Sequence, residues 1–226
     1  MSGRESQFGR FTGKHMMRPI FIVFFCIMVS QIFSDCTKNL QKEEIVYKND
    51  FEYANLLGIE GGKITTFNSS KVLGNFDSSG FDFKINNLEA HDYIEVSFSL
   101  YIHDQWIGNT NDEITKMPDL WQLNIDGNNY INTTFSNGGF MQSYPDNYKV
   151  DNPSKANSFH SYSQGICNGS ANTLGTSLYK IVKTTKSSST SFSFECRDVS
   201  GSPNTADNHC KSWSIDDLVI KSIKFR

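Results

Sequence analysis

The sequence predicts an all-β protein, a two-sheet antiparallel jelly-roll sandwich behind an N-terminal hydrophobic leader. Three observations predict it. In Ile94-Glu95-Val96-Ser97-Phe98-Ser99-Leu100-Tyr101-Ile102 every second residue is apolar, the period of a strand with one buried face. Trp121, Leu123 and Ile125 alternate with polar residues up to Asp126-Gly127, a hairpin-turn signal, and Tyr130 to Phe135 supplies the returning strand. About ten such short segments recur between Gly, Asn and Ser turns, and no stretch carries an amphipathic helical period of useful length.

Length and composition narrow the function classes. At 226 residues the chain holds one sandwich plus a leader. A formal charge of −3, with no cluster of Lys or Arg, excludes a nucleic-acid partner. Phe, Tyr and Trp make up 13% of the chain and recur at strand spacing, which excludes a disordered polymer.

The first element is the leader, residues 1–34. The run Ile20 to Val29 is continuously apolar, Lys14 and Arg18 precede it, and Ser30 and Ser34 follow it. A basic flank, a short apolar core and small exit residues describe a secretory signal; the run is short of the roughly 20 residues that span a bilayer. The rival expectation is an uncleaved anchor, a membrane tether through residues 19–34. Met1, Met16 and Met17 are alternative starts. Residues 35–46 are polar and read as a linker, and 47–226 as the sandwich domain.

Secretion would place Cys36, Cys167, Cys196 and Cys210 in an oxidising compartment. A Cys196–Cys210 bridge, stapling the loop before the last strand, is the expected pairing, with Cys36 and Cys167 left to each other. Three N-x-S/T sequons, at Asn68, Asn132 and Asn168, are the expected glycosylation sites.

In chain order, Val46 to Tyr53 begins the first strand, and Gly58, Gly61 and Gly62 break the chain after it. Ile64–Phe67, Val72–Phe76 and Phe81–Ile85 are short strand candidates ahead of the Ile94 strand. After Phe135 a long irregular region carries Phe140, Tyr144, Tyr148, Phe159, His160 and Tyr162. Leu178–Val182 and Ser191–Cys196 resume strand character, and Trp213–Ile220 closes the chain.

The closing strand sets two carboxylates among apolar residues. Alternation puts Asp217 on the face of Trp213, Ile215 and Val219, and Asp216 on the face of Leu218 and Ile220. An unpaired carboxylate at a core margin costs several kcal/mol, so it requires a cation or donors. Asp50 and Glu52 flank Phe51 in the same way. If the first and last strands lie side by side, Asp50, Glu52 and Asp217 converge as hard oxygen ligands for a structural Ca²⁺. The alternative is that these acids cap turns or pair with Lys211 or Arg226.

Asp50-Phe51-Glu52 and Ser214-Ile215-Asp216-Asp217-Leu218 resemble the two ends of MAM domains. The resemblance implies an extracellular jelly-roll of concanavalin/MAM-like type whose end strands share a structural cation, and a role in cell adhesion. The cysteine placement of MAM domains is absent and the loops are longer. The middle of the chain resembles secreted bacterial and protist modules without an established activity. It does so through Leu73-Gly74-Asn75-Phe76, His91-Asp92, Phe98-Ser99-Leu100-Tyr101 and Asp104-Gln105-Trp106-Ile107-Gly108-Asn109. Pro118-Asp119-Leu120-Trp121, Thr134-Phe135-Ser136-Asn137 and Gln142-Ser143-Tyr144-Pro145 continue the pattern, which covers about residues 46–224.

Asp104, Asn109, Asp112 and Asp119 crowd one loop with oxygen donors, though without the Gly and closing Glu of an EF-hand. Trp106 lies within that loop and is the aromatic expected to stack on a sugar ring, whereas Trp121 alternates as core. The Phe140–Tyr162 loop is long enough to suspect function. The histidines have no zinc-ligand spacing, and no nucleophile elbow, phosphate loop or dinucleotide fingerprint occurs.

These features give a secreted or cell-surface, non-catalytic recognition module for glycan or glycoprotein. Its ligand-binding residues are expected at Trp106, Asp104, Asn109, Asp119 and Tyr144. The alternatives are a structural coat or matrix protein, and a glycoside hydrolase or lyase using facing acids such as Asp104 and Asp119.

Overall fold

The computed structural model describes residues 39–111, 116–166, 174–199 and 210–226. Twelve strands are described: β1 (Leu40–Asn49), β2 (Ile59–Glu60), β3 (Ile64–Phe67), β4 (Ser70–Phe76), β5 (Gly80–Ile85), β6 (Tyr93–Asp104), β7 (Leu120–Ile125), β8 (Asn128–Thr134), β9 (His160–Tyr162), β10 (Thr176–Lys186), β11 (Phe192–Asp198) and β12 (Lys211–Phe225). Among the described residues there is no helix. One sheet runs β3-β4-β12-β6-β10-β9, with β1 also pairing β12; the other runs β2-β5-β11-β7-β8. All pairings are antiparallel, and the two sheets make the jelly-roll sandwich.

The period-two pattern of β6 buries as expected: Ile94, Val96, Phe98, Leu100 and Ile102 all face the core. Trp121 and Trp213, from opposite sheets, meet edge to face with centroids 5.8 Å apart, a favoured aromatic geometry. The β7–β8 hairpin turns on Asp126 (φ 46°) and Gly127 (φ 76°), both left-handed as a two-residue turn of this hand requires. Gly74, at φ 133°, stands opposite Ser214, where an added Cβ would approach Ser214 Cα to 2.8 Å.

β1 and β12 lie side by side in register from Asn49↔Leu218 outward, as the end strands were expected to. β1 begins at Leu40, however, inside the segment read as linker. Its charged residues conceal the strand, because they sit on an exposed rung where Glu43 pairs with Lys221 at 2.8 Å.

The region between Phe135 and β9 is ordered by one buried amide. Gln142 Oε1 accepts from the Ser136 and Lys155 amides and the Tyr179 hydroxyl, while its Nε2 donates to the Tyr144 and Ala156 carbonyls. Asn109 fastens the same loop to the sandwich. It donates to the Val150 carbonyl and the Asp151 carboxylate, and it accepts from Thr134 and Ser143.

Candidate functional site

The outward face of the five-stranded sheet carries a row of polar side chains in register. Glu60 of β2 pairs with Asp82 of β5, Asp82 with Glu195 of β11, Glu195 with Asn124 of β7, and Asn124 with Asn129 of β8. Each strand supplies them by its own alternation, since the intervening Phe81, Phe83, Phe194, Cys196, Leu123 and Ile125 point into the core. Four strand spacings make the row about 19 Å long. Part of it floors a groove of about 620 Å³, with Gly58 and Gly127 at its margins and Lys84 and Ser193 on the next rung.

Three carboxylates in consecutive register should repel one another. Arg197 relieves the central pair: Nη2 donates to both Asp82 oxygens, at 2.7 and 2.8 Å, and Nε donates to Glu195 Oε2 at 3.0 Å. Asn124 Nδ2 donates to the other Glu195 oxygen at 2.6 Å, and Asn129 holds Asn124 at 2.8 Å. Partial burial pushes the Glu195 carboxyl up, but the hydrogen bonds from Asn124 and Arg197 outweigh it and hold the group below its ordinary range. Glu195 is therefore held as the carboxylate and the middle of the row is fixed in orientation, while Glu60 at the row's end and Lys84 on the next rung stand exposed.

The site residues expected from sequence lie elsewhere. Trp106 is fully buried, its indole donates to the Ser212 carbonyl, and the Lys211 ammonium sits 5.1 Å from its ring, so it presents no face to a sugar. Asp104 is buried and accepts from the Ile166 amide. Asp119 is buried in an ion pair with Lys211, 2.5 Å away, and Asp198 lies 3.2 Å from the same ammonium. Asn109 is engaged as described above, and Asp112 lies outside the described residues. Each of the described side chains is engaged by another part of the sandwich, and Asp104 and Asp119 are both buried, so they present no exposed acid pair. Tyr144 is the exception, lining a second cleft.

The acidic corner also differs. A β-bulge between Asp216 and Val219 adds a residue to β12, with Asp217 at φ 53°. The inward-facing apolar set changes phase there, from Trp213 and Ile215 to Leu218 and Ile220; Asp217 is exposed, while Asp216 stays buried. Asp217 Oδ2 accepts from Ser99 and Lys180, while Glu52 Oε1 accepts from Ser70 and the Lys71 amide. Among the described residues no three His, Cys, Asp or Glu side chains are grouped closely enough to hold a metal ion, Asp50, Glu52 and Asp217 included. Asp216 instead feels these acids. Burial, then the charges of Asp217, Glu52 and Asp50, push its carboxyl up to about 6, although the Asp217 amide donates to it.

The expected Cys196–Cys210 bridge is replaced. Cys196 points into the core from β11 as a buried free thiol, while Cys210 is disulfide-bonded to a cysteine outside the described residues. Cys36, Cys167, the leader and Asn168 also lie outside them. Asn68 is exposed in the β3–β4 turn, and Asn132 is half-buried on β8, accepting from Gln122.

Sequence reasoning missed Asp82, Glu195, Asn124 and Arg197. The available signal was weak: a polar residue at each outward position of Phe81–Ile85, Trp121–Ile125 and Phe192–Cys196. Any solvent-facing strand shows the same, and only register aligns them.

No family model matches the chain, and no curated protein matches it. Similar solved structures include a family GH115 4-O-methyl-alpha-glucuronidase, BtGH115A, with specificity for decorated arabinogalactans (TM-score 0.37, 12% identity, 80% of this chain and 18% of that one). This chain thus spans under a fifth of the glucuronidase. A family 35 carbohydrate binding module from Clostridium thermocellum is similar over 80% of this chain and 98% of its own (TM-score 0.34, 10% identity). A carbohydrate binding module of Cellvibrio mixtus lichenase 5A, in complex with cellotriose, is similar over 78% and 97% (TM-score 0.31, 12% identity). At these scores the likenesses carry no argument about what this chain binds.

Proposed function

We propose that this protein is a non-catalytic extracellular recognition module that binds glycan along the outward face of its five-stranded sheet. The observation that carries the reading is the in-register row Glu60–Asp82–Glu195–Asn124–Asn129 across a groove of about 620 Å³. Fixed carboxylates and amides offer acceptors and donors at strand spacing, which suits a chain of hydroxyl groups. Stacking three acids in register works against stability, and a binding role accounts for it. A glycosidase's acid needs a raised proton affinity, whereas Glu195 is held ionised by Arg197 and Asn124; this favours recognition over hydrolysis. The disulfide at Cys210 and the exposed sequon at Asn68 support an oxidising, extracellular setting.

The test is a neutral-glycan array followed by calorimetry on Glu195→Gln and Asn124→Ala. Loss of binding in both variants with unchanged folding is expected. Silence across all glycans would remove the reading.

A structural Ca²⁺ belongs to this proposal as a separate part, moved to Asp216 beside Asp50 and Glu52. What supports it is that the charges of Asp217, Glu52 and Asp50 add to burial in raising Asp216; Glu52 would have to turn away from Ser70 and the acids draw closer together to complete the site. A calcium-dependent rise in melting temperature, absent from Asp216→Asn, is expected, and no rise in the parent protein would sink this part.

A further inference from the structure

A second cleft, of about 460 Å³, opens at the side of the sandwich between β8 and β10, under the segment Tyr144–Asn147. Its donors stand out. Lys183 follows Tyr179 and Ile181 on the inward-facing positions of β10, opposite Val96, and is half-buried there. Among the described residues its ammonium has neither a hydrogen bond nor an ion pair. Lysine is almost never fully buried without a partner, and half-burial moves Lys183 toward that limit. Snorkelling along Ile181 would explain the half-burial alone. It does not explain why a second unused donor faces the same space.

That donor is Tyr144. Its ring is anchored against Phe135 and Tyr179, at 5.0 and 5.1 Å between centroids, and its hydroxyl has no hydrogen-bond partner among the described residues. Burial pushes the phenol up, so it stays an O–H donor at neutral pH. Asn147 adds an amide at the rim; its Oδ1 is already taken by the Asn132 amide, which leaves the NH₂ outward. The other charged groups of the lining are accounted for. Lys180 turns to Ser99 and Asp217 on the other face of the sheet, and Asp146 accepts from Asn152. The Tyr130 hydroxyl is paired with Thr185.

We propose that this cleft binds an oxyanion carried by a sugar, a uronate carboxylate or a sulfate ester, between the Lys183 ammonium and the Tyr144 hydroxyl. The preference for an oxyanion follows from these donors and is independent of the groove on the other sheet. That the oxyanion is carried by a sugar rests on the glycan reading above.

Calorimetry with oligogalacturonate, a sulfated oligosaccharide, inorganic sulfate and a neutral oligosaccharide tests it on the full chain. One of the two acidic sugars is expected to bind in a salt-dependent way. Lys183→Met should weaken that binding by about tenfold or more, and Tyr144→Phe, which keeps the ring packing, by several-fold. Binding of the neutral oligosaccharide, which the groove supplies, is read separately on the parent protein, so failure of the groove and failure of the cleft are told apart. Inorganic sulfate binding as tightly as the sugars would overturn the sugar assignment. Acidic-sugar binding that both cleft variants retain, or no binding of any anion, would overturn the site itself.

Discussion

Asp82 and Glu195 stand directly opposite each other on neighbouring strands, and the one guanidinium of Arg197 holds both. Two like charges across a strand pair normally destabilise a sheet. The bidentate clamp turns the pair into a fixed surface, and its removal should expose the repulsion it conceals.

Arg197→Gln is therefore expected to lower stability by about 1 kcal/mol, a modest figure because the groups are partly exposed. Added salt should recover part of the loss, and so should Asp82→Asn in the same chain. Urea unfolding at low and high ionic strength measures this; a loss independent of salt would mean the arginine acts through packing.

The Lys211–Asp119–Asp198 group is a different case, since all three side chains are almost fully buried. Lys211→Met leaves two desolvated carboxylates without that cation and should cost about 3–5 kcal/mol. A melting curve that barely moves would show that water enters the group.

Acid sensitivity follows from two groups of opposite sign. His103 is buried between Thr176 and Ser214, and burial lowers it from 6.5 to about 3. Between those values the unfolded chain takes up a proton that the folded chain refuses, so stability falls as pH falls. Asp216 is raised from 3.8 to about 6, so within that window the folded chain holds the extra proton and stability rises as pH falls. The His103 change is the larger, and after the opposing Asp216 gain a net loss of about 1–2 kcal/mol is expected on acidification from neutral pH to pH 4. His103→Gln should flatten that limb. Asp216→Asn should stabilise at pH 7 by about 1 kcal/mol, a figure discounted for the hydration the carboxylate keeps. Melting temperature against pH for the three proteins checks both signs.

Cys196 and Cys210 should differ in alkylation. The buried Cys196 thiol should react only after unfolding, and burial also pushes its proton affinity up. Cys210 should react only after reduction. Mass spectrometry under native, unfolded and reduced conditions separates the two, and a Cys196-containing disulfide peptide would contradict the structure.

The strands were legible wherever one face is buried and the period of two is unbroken. β6, β7 and the Asp126-Gly127 turn lie where the alternation put them, and the end strands pair. The start of β1 was hidden because Gln41, Lys42, Glu43 and Glu44 break its alternation with a polar run. The faces of Asp216 and Asp217 were misassigned because a single inserted residue shifts every later side chain by one position. Trp106 misled for a related reason: a loop position suggests exposure, but Trp106 is fully buried, and Trp106, Asn109 and Asp119 are held by Ser212, Val150 and Lys211, residues distant in sequence.

By itself the sequence determined the all-β class, the inward faces and the turns, because these depend on neighbours one to four residues apart. Only the tertiary structure decided the two candidate sites. Glu60, Asp82, Glu195 and Asn124 lie on four strands distant in sequence, and Tyr144 and Lys183 line one cleft from distant segments. Register and sheet packing set those distances, and no local pattern of residue types encodes either.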